Sequence, residues 1–239
     1  MNKLLPRLVL STASILLGFG MMEANPAQAL NITGTLTADD HYGLYYGHQD
    51  ATGLTFVGRN EIDRLGSPGL YAWSLPETYN FNVGAGDYLY VLAWDFRFRQ
   101  SWIGEFQGIP GGSLLSNTTD WEYFVSSSLG NNPGHTAAFP SLAAVATDIA
   151  SATWATPQAS APQGSFPWGT IPGISSSAQF IWSDTLDIDS TSDNKYVIFR
   201  TKLPVVPNEL KAVPEPTATL GLLTLGILAT SSRLLRKQK

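Results

Sequence analysis

Cysteine is absent from all 239 residues, which removes disulfide staples, thiol catalysis and thiolate metal sites together. Histidine is scarce, at three: His41, His48 and His135. The seven-residue step from the first to the second is not a metal-ligand spacing, so each reads as a surface residue. Basic side chains are also few. Residues 30–212 hold 8 Lys+Arg against 17 Asp+Glu, a net charge of −9. Such a body repels nucleic acid and anionic membrane surfaces, and leaves divalent cations as partners. No G-x-S-x-G elbow, H-E-x-x-H pair or phosphate-cradling glycine loop occurs, so nothing points to an enzyme. A cysteine-free body of about 180 residues must hold itself together by its core, which this size permits.

What is present is concentrated first at the two ends. Lys3 and Arg7 precede an apolar stretch from Leu8 to Met22, and Ala27-Gln28-Ala29 supplies the small-x-small pattern that signal peptidase accepts. The stretch is shorter than the about 20 residues that span a bilayer. Cleavage after Ala29 would leave Leu30 as the mature N-terminus. At the other end, Val213-Pro214-Glu215-Pro216 leads into an apolar segment, Thr217 to Ser232, followed by Arg233, Arg236, Lys237 and Lys239. The two prolines break helical continuity, which leaves the triplet extended and open to a protease. The segment would rise about 24 Å as a helix, against a hydrocarbon core of about 30 Å. Leu234, Leu235 and snorkelling arginines supply the remainder. Its basic cluster would stay cytoplasmic.

This order of proline-acid-proline triplet, apolar helix and terminal basic cluster resembles the PEP-CTERM sorting signal of exosortase substrates, over about 27 residues. The resemblance implies a protein parked in the inner membrane by its tail, cut by exosortase near Pro214-Glu215-Pro216, and released to the cell surface or extracellular matrix. Its processing partners would be signal peptidase and exosortase. Pro204 to Ala212, with prolines at 204 and 207, reads as the stalk between body and signal.

Between the ends the pattern is strand-like. Short runs rich in Thr, Tyr, Val and Trp are punctuated by Gly, Pro, Asn and Asp. Strands are predicted over Asn31–Thr37, His41–Gly47, Leu54–Val57, Glu77–Val83, Tyr88–Asp95, Ser101–Gln107, Trp121–Ser126, Gln179–Ser183 and Lys195–Leu203. The near-continuous run Tyr196-Val197-Ile198-Phe199 suits a central strand. Phe139 to Trp154 is predicted as the one helix, with Leu142, Val145, Ala146 and Ile149 inward and Asp148 outward. Residues 108–135 and 156–177 read as loops. Together these signals predict an antiparallel β-sandwich over residues 30–203, carrying one short helix.

Leu36 to Gly47, with Ala38-Asp39-Asp40 and Leu44-Tyr45, resembles the paired strands of galactose-binding-like jelly rolls. Gly86-Asp87-Tyr88-Leu89-Tyr90-Val91-Leu92-Ala93-Trp94-Asp95 resembles their later core strand. Asp40 departs from the commoner Asn, and Tyr46-Gly47-His48 from the usual Asn-Gly turn. The resemblance implies a jelly roll, with a structural calcium at or near Asp39 and Asp40. Such sandwiches carry glycan binders and inert modules alike, so function does not follow from it.

Three kinds of site remain. Asp184, Asp187, Asp189 and Asp193 place four carboxylates within ten residues and open like an oxygen-ligand calcium loop. Ser192 stands where an EF-hand needs glycine, and Ile198 where it needs Glu, so a solvated acidic turn fits as well. Asp95 and Glu105 would meet if their strands paired as a hairpin, at the about 5–9 Å a glycosidase needs. Finally Trp73, Trp102, Trp121 and Trp168 fall in or beside predicted loops and strand ends, where exposed rings stack on sugars. Trp94 and Trp182 read as core. The sequence thus points to an exported surface or matrix protein, with polysaccharide binding as the alternative.

Overall fold

In a computed structural model the chain is described over residues 29–60, 73–95, 99–130, 139–184 and 195–206. These hold eleven strands and one helix. In chain order they are β1 (Leu30–Asp39), β2 (His41–Gly47), β3 (Thr55–Arg59), β4 (Glu77–Val83), β5 (Tyr88–Trp94) and β6 (Ser101–Ile109). Then follow β7 (Gly112–Leu115), β8 (Trp121–Val125), α1 (Leu142–Ala150), β9 (Gln158–Pro162), β10 (Gln179–Trp182) and β11 (Val197–Thr201). One sheet runs β4-β1-β6-β10-β9, with β7 also on β6; the other runs β3-β2-β5-β11-β8. Every pairing is antiparallel. The chain is mainly β, as expected, with the two sheets packed in a sandwich-like arrangement.

Period-two alternation decides which side chains meet between the sheets. Ile32, Leu36, Trp102 and Phe106 from the first sheet pack with Leu44, Leu89, Val91, Ala93, Val197 and Phe199 from the second. The intervening residues of β5 and β11 are apolar as well, because that sheet has a second covered face. Tyr90, Leu92, Trp94 and Ile198 form a further cluster with Val145 and Ile149 of α1. Strands buried on both sides lose their alternation, which is why β5 and β11 read as continuous apolar runs. The outer side of the first sheet is covered in part by the segment after β9, where Trp168, Ile171 and Ile174 pack on Ile103 and Phe180. The β1–β4 end of that sheet faces water. There Thr33 donates to Asn80 at 2.7 Å, Thr35 meets Thr78 at 3.0 Å, and Asn31 reaches Asn82.

The helix is shorter than its apolar spacing suggests. Ser141 caps it, accepting from the Ala144 N–H, so Phe139 and Pro140 lie outside. Ser151 closes it, leaving Trp154 beyond its end. Asp148 does not face outward: it is buried and accepts from the Ser128 hydroxyl. Phe139 instead packs over β2, where a Cβ on Gly43 would come within 2.3 Å of its ring. Two short strands also lie where loops were predicted: β7 pairs β6, and β9 pairs β10. Their composition is that of turns, and the ladder hydrogen bonds rather than side-chain propensity make them strands.

Among the described residues no helix is long and apolar enough to cross a membrane. Signal-peptide positions 1–28, Ala27 among them, and the tail positions Val213, Pro214, Glu215, Pro216, Arg233, Arg236 and Lys237 lie outside them, while Ala29 is described and exposed.

Candidate functional site

The chain changes sheets twice at one corner. It leaves β1 at Asp39 and enters β2 at His41, so Asp40 is the crossing residue. It leaves β5 after Trp94 and returns to the first sheet at Ser101. The registers bring the two crossings together, since His41 pairs with Trp94 and Asp39 with Ser101. Carboxylate oxygens of Asp39, Asp40 and Asp95 consequently lie within 4.8 Å of one another. Asp40 is 8% exposed and Asp95 3% exposed.

Surrounding groups hold this corner in place. Asn60, just past β3, accepts from the Tyr42 N–H at 2.9 Å and donates to the Asp40 carbonyl at 2.7 Å. The Trp168 indole donates to Asp39 Oδ2 at 2.8 Å. His41 is buried and stacks on Trp94, with ring centroids 5.1 Å apart, so it is not the surface residue the sequence suggested. An ion with Ca–O bonds of about 2.4 Å keeps its ligands within about 4.8 Å of each other, which this triad satisfies. A hard divalent cation would offset repulsion among three carboxylates placed this close. The donor set is all oxygen, which suits calcium or magnesium and not zinc or copper.

Asp95 therefore joins a different partner set from the one its sequence position suggested. Glu105 lies in β6, on the other sheet, opposite Thr35 and Leu115. It accepts from the Ser175 N–H at 2.8 Å and from the Gln107 amide. The expected Asp95–Glu105 hairpin pair does not form, because β5 and β6 belong to different sheets. Of the four acids before β11, Asp184 is partly buried, while Asp187, Asp189 and Asp193 lie outside the described residues.

The tryptophans expected on a sugar-stacking face are mostly interior. Trp102 and Trp121 are fully buried and meet edge to face at 4.8 Å between the sheets. Trp168 is 3% exposed and stacks on Phe180 at 4.5 Å. Trp73 is partly buried against the same cluster. Trp102 and Trp121 fill the space between the sheets, whereas Trp168 and Trp73 help cover the outer side of the first sheet. Trp94 and Trp182 are core, as read.

One tryptophan that the sequence placed in a helix has a different setting. Trp154 lies on the wall of a cleft of about 690 Å³, with Tyr88 and Arg200 below and the exposed turn His48-Gln49-Asp50 at its rim. The Arg200 guanidinium lies 4.0 Å from the Trp154 ring centroid and 5.3 Å from that of Tyr88. It is ion-paired to Glu122 and donates to the Gln49 carbonyl at 2.9 Å. Asp50 accepts from both the backbone N–H and the hydroxyl of Thr52. Those hydrogen bonds lower its carboxyl pKa.

Compared with known proteins, the chain matches no family, and no curated protein or solved structure is significantly similar to it.

Proposed function

We propose that this is a non-enzymatic structural or interaction protein of the cell envelope or extracellular polymer matrix, exported on its N-terminal signal and sorted by an exosortase. One observation carries the reading. Val213-Pro214-Glu215-Pro216, an uncharged apolar segment and a basic end follow one another in the order such a sorting signal requires. The finer fold in this proposal is a galactose-binding-like jelly roll. It is supported by the coincidence of its Ala38-Asp39-Asp40 motif with a sheet crossing. Asp39, Asp40 and Asp95 would hold calcium there, clamping two crossings that no disulfide ties. Mass spectrometry of protein recovered from cell surface and medium tests the sorting route. The expected termini are Leu30 and a residue near Pro214-Glu215-Pro216. Intact Lys239 on soluble extracellular material would refute it.

Glycan binding is the second reading, with polysaccharide as the partner. It is favoured by the cleft beside Trp154, which combines an aromatic wall with an exposed polar rim, and it no longer depends on the interior tryptophans.

A further inference from the structure

We propose that the Trp154 cleft is a subsite for one or two units of a neutral, hydroxyl-rich sugar; this rests on the glycan reading and names its site and ligand class. The volume, about 690 Å³, is that of a small-molecule site. Two features select the ligand. One wall is a rigid aromatic ring, Trp154, above the ring of Tyr88 at the floor. Trp154 is held edge-on by Phe124 at 5.4 Å and backed by Arg200 at 4.0 Å. Such anchors offer contact area at little entropic cost, and the C–H faces of a pyranose match them.

The charge is already balanced. Arg200 is the cation at the cleft floor, and its charge is taken up by Glu122, so an anionic sugar gains little there. Asp50 at the rim is ionised through ordinary pH and would repel a uronate while accepting from hydroxyls. Gln49 adds an exposed amide that can both donate and accept. The rim is pre-formed: His48 N–H donates to the Thr52 carbonyl at 3.0 Å, and Ala51 N–H to the His48 carbonyl at 2.9 Å.

The test is affinity electrophoresis of protein made from the full-length chain, in a detergent without a sugar headgroup. Native gels carry galactomannan, dextran, alginate or denatured casein. Retardation by galactomannan or dextran is expected, with the apparent Kd rising at least about tenfold in Gln49→Ala and in Trp154→Ala. Gln49→Ala keeps the main-chain acceptor used by Arg200, so an unchanged melting curve separates lost binding from lost folding. Retardation by alginate alone would leave the glycan reading standing and overturn the neutral cleft. Neutral-polymer retardation that neither substitution weakens would place the site elsewhere and overturn it too. Retardation by casein alone, or by nothing, would remove both readings.

Discussion

A cation at the proposed acidic-corner site would be measurable through single side chains. Calcium at a hundredfold excess over its Kd should stabilise the protein by about 2.7 kcal/mol, or about 5–10 °C in melting temperature for a body of this size. Asp40→Asn and Asp95→Asn should each abolish that increment. A melt insensitive to both calcium and chelator would remove the clamp. Arg200 makes a separate residue-scale case. Its guanidinium is buried and its Glu122 partner 20% exposed, so Glu122→Gln leaves a buried charge half-answered. Urea unfolding should show a loss of about 2–4 kcal/mol, toward the lower side for a broken buried pair because Glu122 is partly wet. The Asp39-Asp40 half of the corner was legible in the sequence. Asp95 was visible only as an acid at a strand end, since its partnership depends on His41 pairing with Trp94, and register is not written in either strand alone.

Elements owe their limits to what covers them. Helix α1 buries Val145 and Ile149 against the outer face of β5 and β11, while Leu142 is 43% exposed. Ile149→Ala should therefore cost about 2–4 kcal/mol, whereas Leu142→Ala should stay within about 0.5 kcal/mol. Equal costs in chemical denaturation would mean that α1 does not dock as described. The strands rich in Tyr, Val and Ile were plain in the sequence, and β2 and β4 match their expected bounds residue for residue. The helix was over-extended because Phe139 and Trp154 continue its apolar spacing, yet both side chains pack from outside it, with Phe139 on Tyr45 and Trp154 on Phe124. Strands β7 and β9 were hidden for the opposite reason: Gly112-Ser113-Leu114-Leu115 and Gln158-Ala159-Ser160-Ala161-Pro162 have weak local preference and are recruited by neighbours.

For the molecule as a whole, tyrosines set the alkaline limit. Burial, chiefly, raises the pKa of Tyr42, Tyr45 and Tyr90, and brings Tyr196 to about 12. Unfolded tyrosine titrates near 10, so above that pH the unfolded chain releases protons that the folded one retains. Stability from these groups is complete below about pH 10 and declines as pH rises toward the folded values. Tyrosinate absorbance from these four should consequently appear together with unfolding, not before it; their early titration would contradict their burial. The two-sheet plan was readable from strand spacing, but the face each turn-side ring takes was not: Trp102 and Trp121 fill the space between the sheets, and Trp168 and Trp73 the partly covered outer side of the first. The ends of the described body meet at one pole. Leu30 pairs with Val83, and Val206 accepts from the Gly86 N–H, while β1 runs ten residues, about 33 Å, to the acidic corner. A body moored through Val206 would stand like a buoy, its carboxylate corner at the far tip, first to meet ions or polymer arriving from outside, and its Trp154 cleft low against the mooring.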